Sequence, residues 1–221
     1  MTGRILSLDT TAEFGSLALV EDGATIDEVL LHSPEGFGHV LFDHIDRLLA
    51  RRSWPLDSID CFAAASGPGS FTGVRVGLAA VKGLAATLGR PVAAVSNLEA
   101  LASFGTRPLR ATVLDARRGE VYAAVYDCEL KPVAAEVVAP LPAWLASLPE
   151  GDLEFILVDP APFQAALPQS KPVVQAPRAL AAAIGRIAYQ RLLRGLASPP
   201  EAIDANYVRR SDAELFWKDG A

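Results

Sequence analysis

The segment Ser66-Gly67-Pro68-Gly69-Ser70-Phe71-Thr72-Gly73 constrains the fold more than any other stretch of this 221-residue chain. It follows an apolar run of strand length, Ile59 to Ala65, and leads into a helical stretch that continues to Gly89. Glycines on either side of Pro68 make a sharp strand-to-helix turn, and Ser70 or Thr72 is placed to cap the helix. A buried strand that turns directly into a long apolar helix is the signature of an α/β layer. Along that helix Gly73, Gly77 and Ala80 form a smooth stripe, and Val74, Leu78, Val81, Ala85 and Leu88 a bulkier one. A helix apolar on two sides is either buried between layers or covered on its outer side.

The rest of the chain fits the same class. Ile5 to Leu8, Ser16 to Val20 and Thr25 to Leu31 read as three strands, the last two joined at Glu21-Asp22-Gly23, so the chain opens with an antiparallel meander. Leu41, Ile45, Leu48 and Leu49 recur at helical spacing and predict an amphipathic helix over about 38–52, ended by Trp54-Pro55. Val92 to Val95 reads as a strand and Asn97 to Ser103 as a short helix. A break at 104–108 opens a second half, in which 111–115 and 120–126 form a hairpin across Arg117-Arg118-Gly119. Residues 129–177 are proline-rich, with one strand at 155–158. A helix from Pro177 to about Arg194 follows, with proline in its first turn and Gly195 as its stop. Each half opens with a strand ending in Asp and then a hairpin (Leu8-Asp9, Leu114-Asp115), which points to a duplicated α/β unit. The halves divide as 1–106 and 107–221.

Half of the residues are apolar (51%), enough for a full core, and the formal charge of −6 excludes a protein that coats nucleic acid through net charge. Cys61 and Cys128 both sit in apolar runs and read as buried reduced thiols. No basic-then-apolar leader follows Met1, and no strongly apolar stretch of about 18 residues is evident, so the expectation is a cytoplasmic chain with no membrane contact.

Chemistry is sparse. The glycine-rich loop is neither a Walker A loop nor a dinucleotide fingerprint; its amides suit an anion, but a helix-packing role fits its spacing better. Asp9-Thr10-Thr11 ends a strand and reads either as a holder of a metal-bound phosphate or as an Asx-type turn. His32, His39 and His44 lack metal-ligand spacing, so no metal site and no catalytic residue is assigned. On the helix over 38–52, Leu41, Ile45 and Leu48 face inward, while Phe37, Val40, His44 and Arg47 fall on other sectors. Apolar outer residues on both long helices suggest a partner surface. The tail, Asn206-Tyr207-Val208-Arg209-Arg210 and Phe216-Trp217-Lys218, mixes aromatic and basic residues; it suits RNA stacking, and better suits a strap packed on the body.

The run Ser66 to Gly77 resembles the TsaB (YeaZ) family of bacterial tRNA threonylcarbamoyladenosine biosynthesis proteins. Ile5 to Thr11, Leu114 to Tyr122 and Asn206 to Arg209 are similar to three further family segments, in the same order. The resemblance implies an α/β, actin-like ATPase fold (the ASKHA, RNase-H-like class) in two α/β halves with mixed sheets. The first half then carries the partner helices and the second ends in an irregular tail. It implies a non-catalytic partner of TsaD, the larger paralogue that transfers threonylcarbamoyl from threonylcarbamoyl-AMP to N6 of A37 in tRNAs reading ANN codons, with the ATPase TsaE joining the complex. Without its partner the chain is then a homodimer, and tRNA is met through the complex. The implied partner residues are Phe37, Val40, Leu41, His44, Arg47, Arg75, Leu78, Ala79 and Lys82. No cofactor is implied, beyond a vestigial ATP/Mg site at Asp9, Thr10, Thr11, Gly67 and Gly69. A stand-alone actin-like ATPase is the alternative. The stretch Ser33 to His39 departs from the family's lead into its first helix.

Overall fold

The structure, a computed structural model, describes residues 3–209. The first half builds a sheet from β1 (Arg4–Asp9), β2 (Phe14–Glu21), β3 (Ala24–His32), β4 (Cys61–Ala65) and β5 (Val92–Val95), in the order β3-β2-β1-β4-β5. β1, β2 and β3 are antiparallel, and β1, β4 and β5 are parallel. The turn between β2 and β3 holds Asp22 and Gly23 both at positive φ, which matches the twist of the flanking strands.

The second half repeats this plan. β6 (Leu109–Arg117), β7 (Glu120–Tyr126), β8 (Pro132–Pro140), β9 (Leu153–Leu157) and β10 (Val173–Gln175) lie in the order β10-β9-β6-β7-β8, with β6, β7 and β8 antiparallel and β6, β9 and β10 parallel. Strand for strand this is the first sheet again, so the duplicated unit is real and the fold is the actin-like one.

Helices α1 (Leu41–Arg51), α2 (Phe71–Leu88), α3 (Asn97–Ala102), α4 (Leu141–Leu145) and α5 (Ala181–Leu193) complete the molecule. Strand alternation sorts the first sheet's side chains between two cores. Leu6, Leu8, Leu17, Leu19, Phe62 and Ala64 pack with α1 and α2. Ile5, Val20, Cys61, Ala63 and Val95 pack with Ala183, Ile184 and Ile187 of α5. The second sheet has its own core around Val113, Val125, Trp144 and Phe155. So α5, although it follows the second half in sequence, covers the first half's sheet.

At three places the elements differ from the sequence expectation. α1 begins at Leu41 because Gly38–Val40 form a turn in which the Val40 and Leu41 amides both donate to the Phe37 carbonyl. α5 begins at Ala181, leaving Pro177 outside it; its start is fixed by Ser16 of β2, whose hydroxyl oxygen accepts from the amides of Leu180 and Ala181 at 3.0 and 2.9 Å. Within 129–177 the periodicity hides β8, α4 and β10; β8 is an edge strand of alternating exposure, with proline at each end. Cys61 is buried as expected, but Cys128 is exposed, in the turn after β7 where Asp127 accepts from the amides of Glu129 and Lys131.

By length and composition α2 is apolar enough to cross a membrane, contrary to the sequence reading. Its packing against β1, β4 and β5 makes it a core helix instead.

Candidate functional site

Two features compete as the functional site: the outer face of α1 and α2, and a cleft of about 1250 Å³ between the halves.

The cleft is lined by Asp9, Thr10, Thr11, Gly69, Ser70 and Gly73 on one side and by Asp115, Arg117, Tyr122, Arg178 and Arg209 on the other. Asp9 is only 3% exposed. Its Oδ1 accepts from the Thr11 amide at 2.9 Å and the Thr11 hydroxyl at 2.6 Å, and its Oδ2 from Asn97 Nδ2 at 3.2 Å. Asn97 Nδ2 also donates to Thr11 Oγ1 at 2.9 Å, while Asn97 Oδ1 is buried with no hydrogen-bond partner among the described residues.

The main chain of Thr10 and Thr11 is pressed against the start of α2. The Ser70 amide donates to the Thr11 carbonyl at 2.7 Å and the Thr10 hydroxyl to the Gly73 carbonyl at 2.7 Å. A Cβ on Gly73 would lie 2.0 Å from the Thr10 carbonyl oxygen, and one on Gly69 would lie 2.6 Å from that of Thr11. Gly67 takes a positive φ of 101°, its peptide to Pro68 is cis, and its carbonyl accepts from the Asn97 amide at 2.9 Å. The glycines therefore serve close packing of α2 on the end of β1.

The carboxylate and hydroxyls of Asp9, Thr10 and Thr11 are hydrogen-bonded to one another, to Asn97 and to α2, and Arg117 lines the cleft. Among the described residues, no group of three His, Cys, Asp or Glu side chains is placed to hold a metal ion.

Burial raises the Asp9 carboxyl above its ordinary 3.8, with the hydrogen bonds from Thr11 and Asn97 opposing it. Burial also raises Glu28 and Glu99. The folded chain then binds these protons more tightly than the unfolded chain, so stability falls as pH rises from the unfolded values through the raised ones. Asp9→Asn should remove Asp9's share of that slope. Urea unfolding in steps from about pH 4 to about pH 7 reads it directly, and an unchanged slope refutes the assignment.

The second candidate lies on the opposite side of the helices from the first sheet. Arg47, Arg75 and Ala79 are exposed, and Val40, His44 and Lys82 are half-buried. Phe37, Leu41 and Leu78 are in the core, which corrects the placement of Phe37 on an outer sector; it is 2% exposed and packs beneath α1 because the turn before that helix folds it inward. These three shape the face from below rather than presenting side chains on it. Two outward residues escaped the sequence reading: Phe42, 52% exposed, and Phe71, 43% exposed. For Phe42 the signal was available, since one step past inward Leu41 rotates about 100° toward solvent. Phe71 stacks with Arg75, whose guanidinium lies 3.6 Å from its ring centroid.

Of the tail, Asn206–Arg209 pack on the body as a strap, as expected; Arg210 and Phe216-Trp217-Lys218 lie outside the described residues.

Comparison with known proteins bears on both features. A family model described as TsaD, tRNA N6-adenosine threonylcarbamoyltransferase, matches residues 37–154. The chain is 33% identical over 153 residues to the tRNA threonylcarbamoyladenosine biosynthesis protein TsaB of Bacillus subtilis, covering 67% of each. It is 37% identical over 128 residues to the TsaB of Escherichia coli, covering 56% of this chain and 55% of that one. The matched stretches thus span about half to two-thirds of these relatives. Among solved structures, YeaZ from Pseudomonas aeruginosa superposes with a TM-score of 0.81 at 27% identity, over 93% of this chain and 99% of that one.

Proposed function

The chain belongs to the TsaB family of tRNA threonylcarbamoyladenosine biosynthesis proteins, and from that premise we propose that it is a non-catalytic, activating subunit for threonylcarbamoyl transfer to A37 of tRNA. In this reading it docks on TsaD through the outer faces of α1 and α2, in a cytoplasmic complex that TsaE joins. The same face pairs two copies of the chain when TsaD is absent.

The observation that carries the reading is the outward exposure of Phe42 on α1 and of Phe71 and Ala79 on α2, two helices that cover one face of the first sheet. Large apolar side chains held outward on ordered helices are the anchors that protein interfaces bury. The cleft supports the same reading, because the Thr10 hydroxyl is committed to α2 and the Asp9 carboxylate to Thr11 and Asn97.

Activation follows from differential binding. A subunit that binds the competent conformation of TsaD better than its resting one raises that conformation's population without supplying a reacting group. The net charge of −6 fits a subunit that leaves most tRNA attraction to its partners.

Reconstitution tests this. TsaD and TsaE with tRNA and threonylcarbamoyl-AMP should modify A37 in the presence of this chain and lose most of that activity without it. The chain alone, given ATP and Mg²⁺, should release no phosphate. Unchanged modification without the chain, or ATP turnover by the chain alone, overturns the proposal; the latter favours a stand-alone ATPase.

A further inference from the structure

The last described residues run across both halves of the molecule. Ser198 pairs with Val92 of β5, each amide donating to the other's carbonyl at 2.8 Å. Ile203 then buries itself in the core beneath α2. The Asn206 amide donates to the Ser66 carbonyl at 2.8 Å, and a Cβ on Gly67 would meet the Asn206 carbonyl oxygen at 3.1 Å. Tyr207 accepts from Arg75 Nε at 2.9 Å through its hydroxyl, with its ring 5.3 Å from that of Phe71. To this point every partner belongs to the first half.

The next side-chain contacts reach the second half. Asn206 Nδ2 donates to Glu136 Oε2 of β8 at 2.5 Å, while Glu136 Oε1 accepts from the Tyr126 hydroxyl of β7 at 2.6 Å. Arg209 pairs with Glu120 at the start of β7, lies over the ring of Tyr122, and lines the cleft. One residue, Asn206, thus joins the halves directly: its backbone is fixed to the glycine-rich loop and its side chain to the second sheet.

We propose that residues 203–209 form a latch that ties the loop and first turn of α2 to β7 and β8, and so holds the two halves at one separation across the cleft. Elsewhere the halves meet where α3 packs on the second sheet, Leu98 and Ala102 against Ala124 and Tyr126 of β7, and through the connection at 103–108. There Glu154 accepts from the amides of Thr106 and Arg107, and Arg110 donates to the Ala102 carbonyl at 3.2 Å. They meet again at the lead into α5, where Ala176 and Leu180 join the core under the first sheet. The apolar seam under α3 and these two crossings supply the pivot, and the strap is a further tether. Its inter-half contacts are two part-buried polar links and the Arg209 guanidinium over the Tyr122 ring, so the latch is releasable: each contributes less than the apolar packing of Ile203 that anchors its other end. The links to Glu136 and Glu120 lie on the second half, away from α1 and α2.

Distance measurement between the halves tests it. Spin labels go on Ala86→Cys, exposed on α2, and Glu150→Cys, exposed before β9, with Cys128→Ser removing the exposed native thiol and Cys61 left buried. The unaltered latch should give one narrow distribution. Asn206→Ala with Arg209→Ala should shift it to longer separations and broaden it. Should that variant fail to fold, Glu120→Gln with Glu136→Gln cuts the same links from the other side and leaves the strap's sequence intact. An unchanged distribution, in either variant with native circular dichroism, overturns the latch.

Discussion

Ala79→Glu should abolish both the complex with TsaD and self-association, weakening each by about 100-fold or more, roughly 3 kcal/mol, while leaving the fold intact. The size of the effect comes from burying an unpaired carboxylate in the proposed interface, beside the apolar side chains that would meet there. Ala79 sits mid-helix on α2, exposed, and contributes nothing to the core beneath. The helix itself should lose only a few tenths of a kcal/mol from the change of residue. Titration calorimetry against TsaD and light scattering of the chain alone read the two contacts, and a thermal melt checks the fold. Retention of both assemblies by a folded variant removes α2 from the interface.

Gly73→Ala should destabilise the chain by about 3 kcal/mol or more, the upper range for forcing atoms into a filled space. The added Cβ would meet the Thr10 carbonyl oxygen at 2.0 Å, and that oxygen is main chain, unable to swing away. Either α2 lifts off the end of β1 or the Asp9–Thr11 turn breaks its hydrogen bonds. Gly83 is the internal control, because nothing lies within 4 Å of its Cβ position on the same helix. There alanine should stabilise by up to about 1 kcal/mol through helix propensity. Urea unfolding of both variants checks the pair, and a Gly73→Ala change no larger than that of Gly83→Ala would show that the close approach is not what holds α2.

Much of this arrangement is legible in the sequence, where local pattern and fold agree. The meander, the loop before α2 and the hairpin around Arg117-Arg118-Gly119 announce themselves through period-two alternation and turn residues. A packing role for the glycine-rich loop follows from its spacing, and the Cβ distances at Gly69 and Gly73 show that packing. What escaped is set by distant partners. No local signal says that Ser16 caps α5 from 164 positions away in the chain. Nor does one say that the turn after Gly36 points Phe37 inward, since helical phase does not extend through a turn. Pro177 looked like a helix start because proline is common there, yet the cap from β2 sets the true one four residues later. The short, proline-flanked β8 carries too little periodicity to separate it from loop.

The placement of α5 has a consequence for how the chain is made. While the ribosome is still adding residues beyond 106, one side of the first sheet, with Ile5, Val20, Cys61, Ala63 and Val95, has no lid, because its cover is the stretch around Ala183, Ile184 and Ile187. The N-terminal sheet therefore waits, greasy side open, until residues 181–193 have been made, and nascent chains stalled before that helix emerges are the ones a chaperone would hold.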